Sequence, residues 1–173
     1  MLLLPQRIYA ASKNTVRRLL KFLHTLAAAG LTGAIGAMAA VVILAPAHIS
    51  TAGYVPIMVA MANVAAWIVG PSMVLTVISG LLAIAANPAF QDAGWVWAKA
   101  ATGILILEGG LQVLGPIQEE AKRVAGALGA NPDPPSLARL LTSEVNSLWL
   151  LLAVSVANIA LGIWRPRFPK IPF

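Results

Sequence analysis

Four long runs of apolar and small residues, parted by short polar or proline-bearing interruptions, set the plan of the chain. The first, Leu19 to Leu44, holds its ionisable groups in its opening turns, and after His24 every residue is apolar or small. About 20 such residues cross a hydrocarbon core of roughly 30 Å, so this run predicts a membrane-spanning helix. The second, Tyr54 to Ala86, would be about 50 Å long as one continuous helix, too long to stand upright in the core. Gly70-Pro71 lies near its middle. Pro71 has no backbone N–H and crowds the carbonyl of Trp67, which predicts a kink there, and Asn87-Pro88 ends the run. The third begins at Trp95 and extends to Gly115-Pro116, where a break is expected, with Ile117 to Gly129 as a short exposed amphipathic helix. Asn131 to Pro135 is a proline-dense linker, and Ser136 is a candidate N-cap for a fourth run ending at Trp164. The expected fold is all-α: an up-down bundle of four transmembrane helices, with spans near 19–44, 54–86, 95–115 and 136–164.

Composition agrees with a chain whose solvent is lipid. Of its 173 residues 59% are hydrophobic and 10% charged, against about 25% charged in soluble domains. There is no cysteine, which excludes disulfides, thiolate metal sites and iron–sulfur clusters. The net charge of +6 does not imply nucleic acid, because the basic residues gather where apolar runs end and no free basic domain carries them. Nine of the twelve Lys and Arg residues fall on one side: Arg7, Lys13, Arg17, Arg18 and Lys21 before the first span, Lys99 at the head of the third, and Arg165, Arg167 and Lys170 after the fourth. That side is read as cytoplasmic, with both termini on it. Residues 1–18 form a basic interfacial segment suited to anionic lipid, at about 1 kcal/mol per basic residue near the surface. Residues 165–173 form a basic, proline-spaced tail. Ala45-Pro46-Ala47 resembles a leader cleavage site, but the first helix reads as uncleaved, since a leader's apolar core is usually about 7–15 residues.

Chemistry must come from the few polar groups at membrane depth. Counted at ~1.5 Å per residue from the basic side, His24 lies about 5 Å deep, Asn158 10 Å, Ser79 12 Å, Glu108 13 Å, Thr76 16 Å and Gln112 20 Å. Glu108 and Gln112 share a face at i, i+4. An intramembrane carboxylate costs of order 2.5–3.5 kcal/mol, so Glu108 is expected to face the bundle or a partner. It reads either as a proton relay or cofactor contact, or as interhelical glue hydrogen-bonded to Thr76, Ser79 or Asn158. His24 is a candidate axial haem ligand, and no second histidine lies at membrane depth to complete a bis-histidine pair. His48, Met58 and Met61 are a weak candidate for a soft copper site on the opposite side. Gly30, Gly33, Gly36, Gly103, Gly109 and Gly110 are read as close-packing positions, with a dimerisation face as the alternative. Trp95, Trp97, Trp149 and Trp164 are read as interfacial anchors.

Lys21-Phe22-Leu23-His24 at the head of the first span and Trp97-Ala98-Lys99 at the head of the third, in a four-span chain of this length, resemble the bacterial integral-membrane family of unknown function numbered two-two-six-nine. The layout is similar to that of copper-resistance protein D and of membrane-bound protoporphyrinogen oxidase, over roughly Arg17 to Trp164. The resemblance to the oxidase implies His24 and Lys99 as the residues tied to haem and activity, in a bacterial inner membrane. Two classes of function stand side by side. One is a non-catalytic accessory subunit or assembly factor of a respiratory or photosynthetic membrane complex, favoured because the sequence displays no self-contained site. The other is a haem b-binding redox protein or oxidase using His24, with Lys99 or Glu108 assisting; copper handling is a third. The expected partners are the bilayer and either other membrane subunits or further copies of the chain.

Overall fold

The computed structural model describes residues 4–45, 50–126 and 134–164, with side chains over 14–45, 50, 52–126 and 146–164. Every element among the described residues is helical: α1 (Leu4–Leu44), α2 (Thr51–Val64), a π-helical turn (Ala65–Val69), α3 (Gly70–Ala85), the single turn α4 (Pro88–Gln91), α5 (Gly94–Gly126) and α6 (Pro134–Trp164). Four stretches are long and apolar enough to cross a membrane: 14–44, 52–85, 94–126 and 146–164. The chain is a multi-pass membrane protein. Helix α1 packs on α3 and α6, while α5 packs on α6, α3 and α2, so the four spans close into a bundle.

Large side chains interlock at its centre, among them Ile35 and Met38 of α1, Met73 of α3, Ile117 of α5 and Leu148 of α6, each almost wholly buried. Leu26, Leu82, Leu105, Leu150 and Ile163 point outward. Apolar side chains gain little by leaving lipid for one another, so close packing must carry the association. Glycine supplies it at several crossings. A Cβ on Gly30 would stand 3.0 Å from Ser72 Oγ, and one on Gly109 3.3 Å from Leu151 Cδ2. Gly33 is different: a Cβ there would meet nothing within 4 Å, so its expected packing role has no counterpart.

The kink in the second span lies where Pro71 predicts it, and its form is a π turn. The Gly70 N–H bonds to the Ala65 carbonyl, five residues back. One extra residue in that turn relieves the crowding between the Pro71 ring and the preceding turn, and the helix continues beyond it.

Pro116, by contrast, breaks nothing: α5 runs through it to Gly126. Ile106, Gly110, Val113, Ile117, Ala121 and Val124 recur at helical spacing on both sides of the proline and are all buried. Packing against α2, where Tyr54 is 0% exposed, holds this stripe in one line and offsets the ~3 kcal/mol that an interior proline costs. The expected separate helix from Ile117 is therefore the end of α5. Helix α6 starts at Pro134, ahead of the expected Ser136 cap, and α1 already begins at Leu4. Proline is favoured in a first turn, whose N–H groups lack intrahelical partners in any case. His48, Ala45-Pro46-Ala47 beyond its first residue, most of the proline linker and the basic tail lie outside the described residues.

Candidate functional site

At the basic end of the bundle the helices diverge around a cavity of about 450 Å³, lined by residues of all four spans. Its wall is largely apolar, with Leu20, Val77, Leu81, Ile84, Phe90 and Ile104, and its polar residues include Arg17, Lys21, His24, Thr76, Lys99 and Asn158. The register of the helices explains how they meet. Arg17 Nη2 donates to the Ala86 carbonyl at 3.2 Å, tying the start of the first span to the end of α3. Seven residues further on, about 10 Å along each helix, His24 and Ser79 arrive at one level. The depth count from Lys21 separates His24 from Thr76 and Ser79; the structure brings them together because Arg17, a turn before Lys21, is what stands level with the end of α3.

His24 Nδ1 stands 2.9 Å from the Thr76 carbonyl oxygen and 3.2 Å from Ser79 Oγ. A carbonyl can only accept, so Nδ1 carries the hydrogen and Nε2 keeps its lone pair. Nε2 has no hydrogen-bond partner among the described residues, and the ring lines the cavity. The Ser79 hydroxyl donates to the Leu75 carbonyl at 2.5 Å, which leaves its oxygen to accept from the imidazole. Gly80 lies flat against the ring: a Cβ there would be 3.2 Å from His24 Cε1.

Across the cavity, Lys99 of α5 and Asn158 of α6 hold each other. Lys99 Nζ donates to Asn158 Oδ1 at 2.9 Å and to its backbone carbonyl at 3.0 Å. Asn158 Nδ2 donates back to the Lys99 carbonyl at 2.9 Å and to Thr102 Oγ1 at 2.6 Å. Gly162, one turn beyond Asn158, makes room for the ammonium, since a Cβ there would stand 3.1 Å from Nζ. An ammonium has three N–H donors and two are used, so one remains.

Thr76, Ser79 and Asn158 therefore belong to the cavity end, with His24 and Lys99. Glu108 and Gln112 do not. Both are exposed on the outer side of α5, Asn158 is taken by Lys99 and Thr102, and Ser79 by Leu75 and His24. Of the two surroundings expected for Glu108, the bundle or a partner, the bundle is not the one the structure shows. Met58 and Met61 are buried in the apolar core, and no group of three His, Asp or Glu side chains among the described residues could hold a metal ion. Trp95 lines the cavity and meets Phe90 edge to face at 5.9 Å. Trp97 donates to the Gln91 carbonyl at 2.9 Å, while Trp149 and Trp164 are exposed. A Cβ on Gly36 or Gly103 would come only to 4.0 Å of Leu152 or Asn158, whereas one on Gly110 would collide with Met73.

No protein-family model, curated protein or solved structure matches this chain. The resemblance carried by the Lys21–His24 and Trp97–Lys99 motifs rests on those residues alone.

Sequence reasoning passes over Arg17, Thr102 and Gly162. The signal for two of them is spacing: Thr102 lies at i+3 from Lys99 and Gly162 at i+4 from Asn158, each one turn away on the same face.

Proposed function

We propose that this protein binds haem b in the cavity at the basic end of the bundle, with His24 Nε2 as the protein ligand. The observation that carries this reading is the 2.9 Å contact from His24 Nδ1 to the Thr76 carbonyl. Ligating histidines usually anchor the second ring nitrogen in this way, which sets the tautomer and aims the free lone pair. The cavity volume of about 450 Å³ lies within the roughly 300–1,000 Å³ of small-ligand pockets. Its apolar wall suits a macrocycle, and Arg17, Lys21 and the spare N–H of Lys99 suit two carboxylates. His24 would supply one nitrogen ligand from the protein.

Haem held there would supply one-electron chemistry. The chain's part is to orient His24 through Thr76, Ser79 and Gly80, to hold the Lys99 ammonium in place through Asn158, and to keep water from the apolar wall. On the positive-inside reading, the cavity and both termini face the cytoplasm. By the resemblance above, the membrane is the bacterial inner membrane and the activity is of the oxidase kind. An accessory-subunit role rests on the lack of a self-contained site, and the cavity weakens that ground.

The test is an absorption spectrum of the gently solubilised protein, expressed with haem in supply, before and after reduction. A Soret band that shifts on reduction and disappears in a monodisperse His24→Ala variant is expected. A colourless wild-type protein overturns the proposal and returns the accessory role, with co-purifying subunits as the next object of study.

A further inference from the structure

The outer side of α5 carries a feature that the cavity does not use. Glu108 and Gln112 are exposed one turn apart, about 13 and 20 Å deep on the residue count. Glu108 lies opposite the buried stripe through Ile106, Gly110, Val113 and Ile117, and Gln112 about 135° from it, at about 100° per residue. Neither side chain has a hydrogen bond or ion pair among the described residues. Ionisable groups at this depth face a bundle interior or a water-filled space and pair with one another, and a carboxyl beside an amide in hydrocarbon has neither. Another protein surface over that side of α5 would supply what they lack.

We propose that this surface is a homodimer interface, with two copies of the chain packing α5 against α5 about a two-fold axis along the membrane normal. All copies share one topology, so such an axis sets the two α5 helices parallel and at equal depth. Gln112 offers both a donor and an acceptor, so it can pair with the Glu108 carboxyl of the second copy in either protonation state, and symmetry makes the pair twice. No other side chain has to be supplied. Seven residues to either side, on the same face, stand Ala101 and Gly115, both exposed and both small enough for two backbones to approach. Leu105, 63% exposed, lies between Ala101 and Glu108 and fills the space between the helices. The inference is independent of haem binding.

The absence of cysteine makes the test direct. The full chain carrying Leu105→Cys is treated in native membranes with a short bismaleimide, beside a control with Leu82→Cys on the exposed side of α3. A covalent dimer of this chain at position 105 and none at position 82 is expected. Adding Glu108→Leu and Gln112→Leu to Leu105→Cys should lower the dimer yield about tenfold, whereas Glu108→Gln, which can still pair, should retain it. No dimer, equal dimer at both positions, an adduct with a different protein, or a yield indifferent to the double leucine substitution would each overturn the proposal.

Discussion

Lys99 and Asn158 are bound to each other three times across the boundary between α5 and α6: ammonium to amide oxygen, ammonium to backbone carbonyl, and amide nitrogen back to the Lys99 carbonyl. The arrangement uses every group of the asparagine side chain, since Nδ2 also reaches Thr102. A lysine at the edge of the membrane ordinarily extends toward the headgroups, and this one is drawn inward instead.

Removing the amide should therefore cost more than an ordinary hydrogen bond. Asn158→Leu leaves the ammonium half-buried with no side-chain acceptor, a loss of about 1.5–3 kcal/mol for bonds to a charged group. Lys99→Met added to it should recover part of that loss, because the stranded charge goes too. Thermal unfolding of both variants in mild detergent checks this, and a double variant less stable than Asn158→Leu would contradict it.

Gly80 is the second position where a small change should act on the site. Gly80→Ala places a Cβ 3.2 Å from His24 Cε1, tighter than most such contacts, and the ring must turn away from the Thr76 carbonyl to relieve it. Loss of the 2.9 Å bond removes what sets the tautomer, so ligand affinity at Nε2 should fall by about tenfold, in the range seen when an outer partner of a ligating histidine is removed. Gly33→Ala, with open space around it, should bind as wild type. Haem titration of the purified apoprotein separates the two.

Much of the fold is legible in the sequence, because it follows from local and one-dimensional features: run length gives the spans, and Pro71 gives the kink. Pro116 shows the limit. Its local effect is the same as that of Pro71, but buried residues continue at helical spacing past it, and only the packing of Tyr54 and its neighbours against them reveals that the helix persists. The site is harder to read for a different reason. A span that is apolar all round has no hydrophobic face to indicate which way it turns, so the sequence cannot tell that Lys99 faces in and Glu108 faces out. The two differ by 9 positions, about half a turn in phase. Depth can be counted along a chain, whereas azimuth needs the neighbouring helices.

Tyr54 links the other end of the bundle to α5. Its ring is 0% exposed, and its hydroxyl donates to Glu120 Oε1 at 3.3 Å, while Arg123 holds the same carboxylate at 2.6 and 2.7 Å. Tyr54→Phe should cost only about 0.5–1.5 kcal/mol, because Arg123 still satisfies the carboxylate. Tyr54→Ala should cost about 3–5 kcal/mol, because it opens a cavity beneath the helix turn that follows Pro116. If packing against α2 is what carries α5 through the proline, Tyr54→Ala should also expose amides beyond Pro116 to hydrogen exchange, and Tyr54→Phe should not.

The π turn makes a prediction of the opposite kind, in which a chain shortened by one residue keeps its packing and recovers its stability once Pro71 is replaced. Deleting one residue from an ordinary transmembrane helix rotates everything beyond it by about 100° and destroys the packing on one side. The turn at Ala65–Val69 holds one residue more than an α-helix needs, and Trp67, 79% exposed, is the one that packs least. Its deletion should close the turn to regular α-helix while Met61 and Met73 stay buried on either side. The regular helix would then press the Pro71 ring against the preceding carbonyl, at about 3 kcal/mol. The single deletion is thus expected to be destabilised, and the deletion combined with Pro71→Ala to recover most of the loss. Deleting Ile78 instead, in the regular part of α3, would swing Ser79 and Gly80 away from His24, and no proline substitution should rescue it. Detergent-solubilised yield and unfolding temperature of the three variants decide the matter. Equal damage from both deletions, with no rescue by Pro71→Ala, would mean that the π turn is not a spare residue but part of the packing itself.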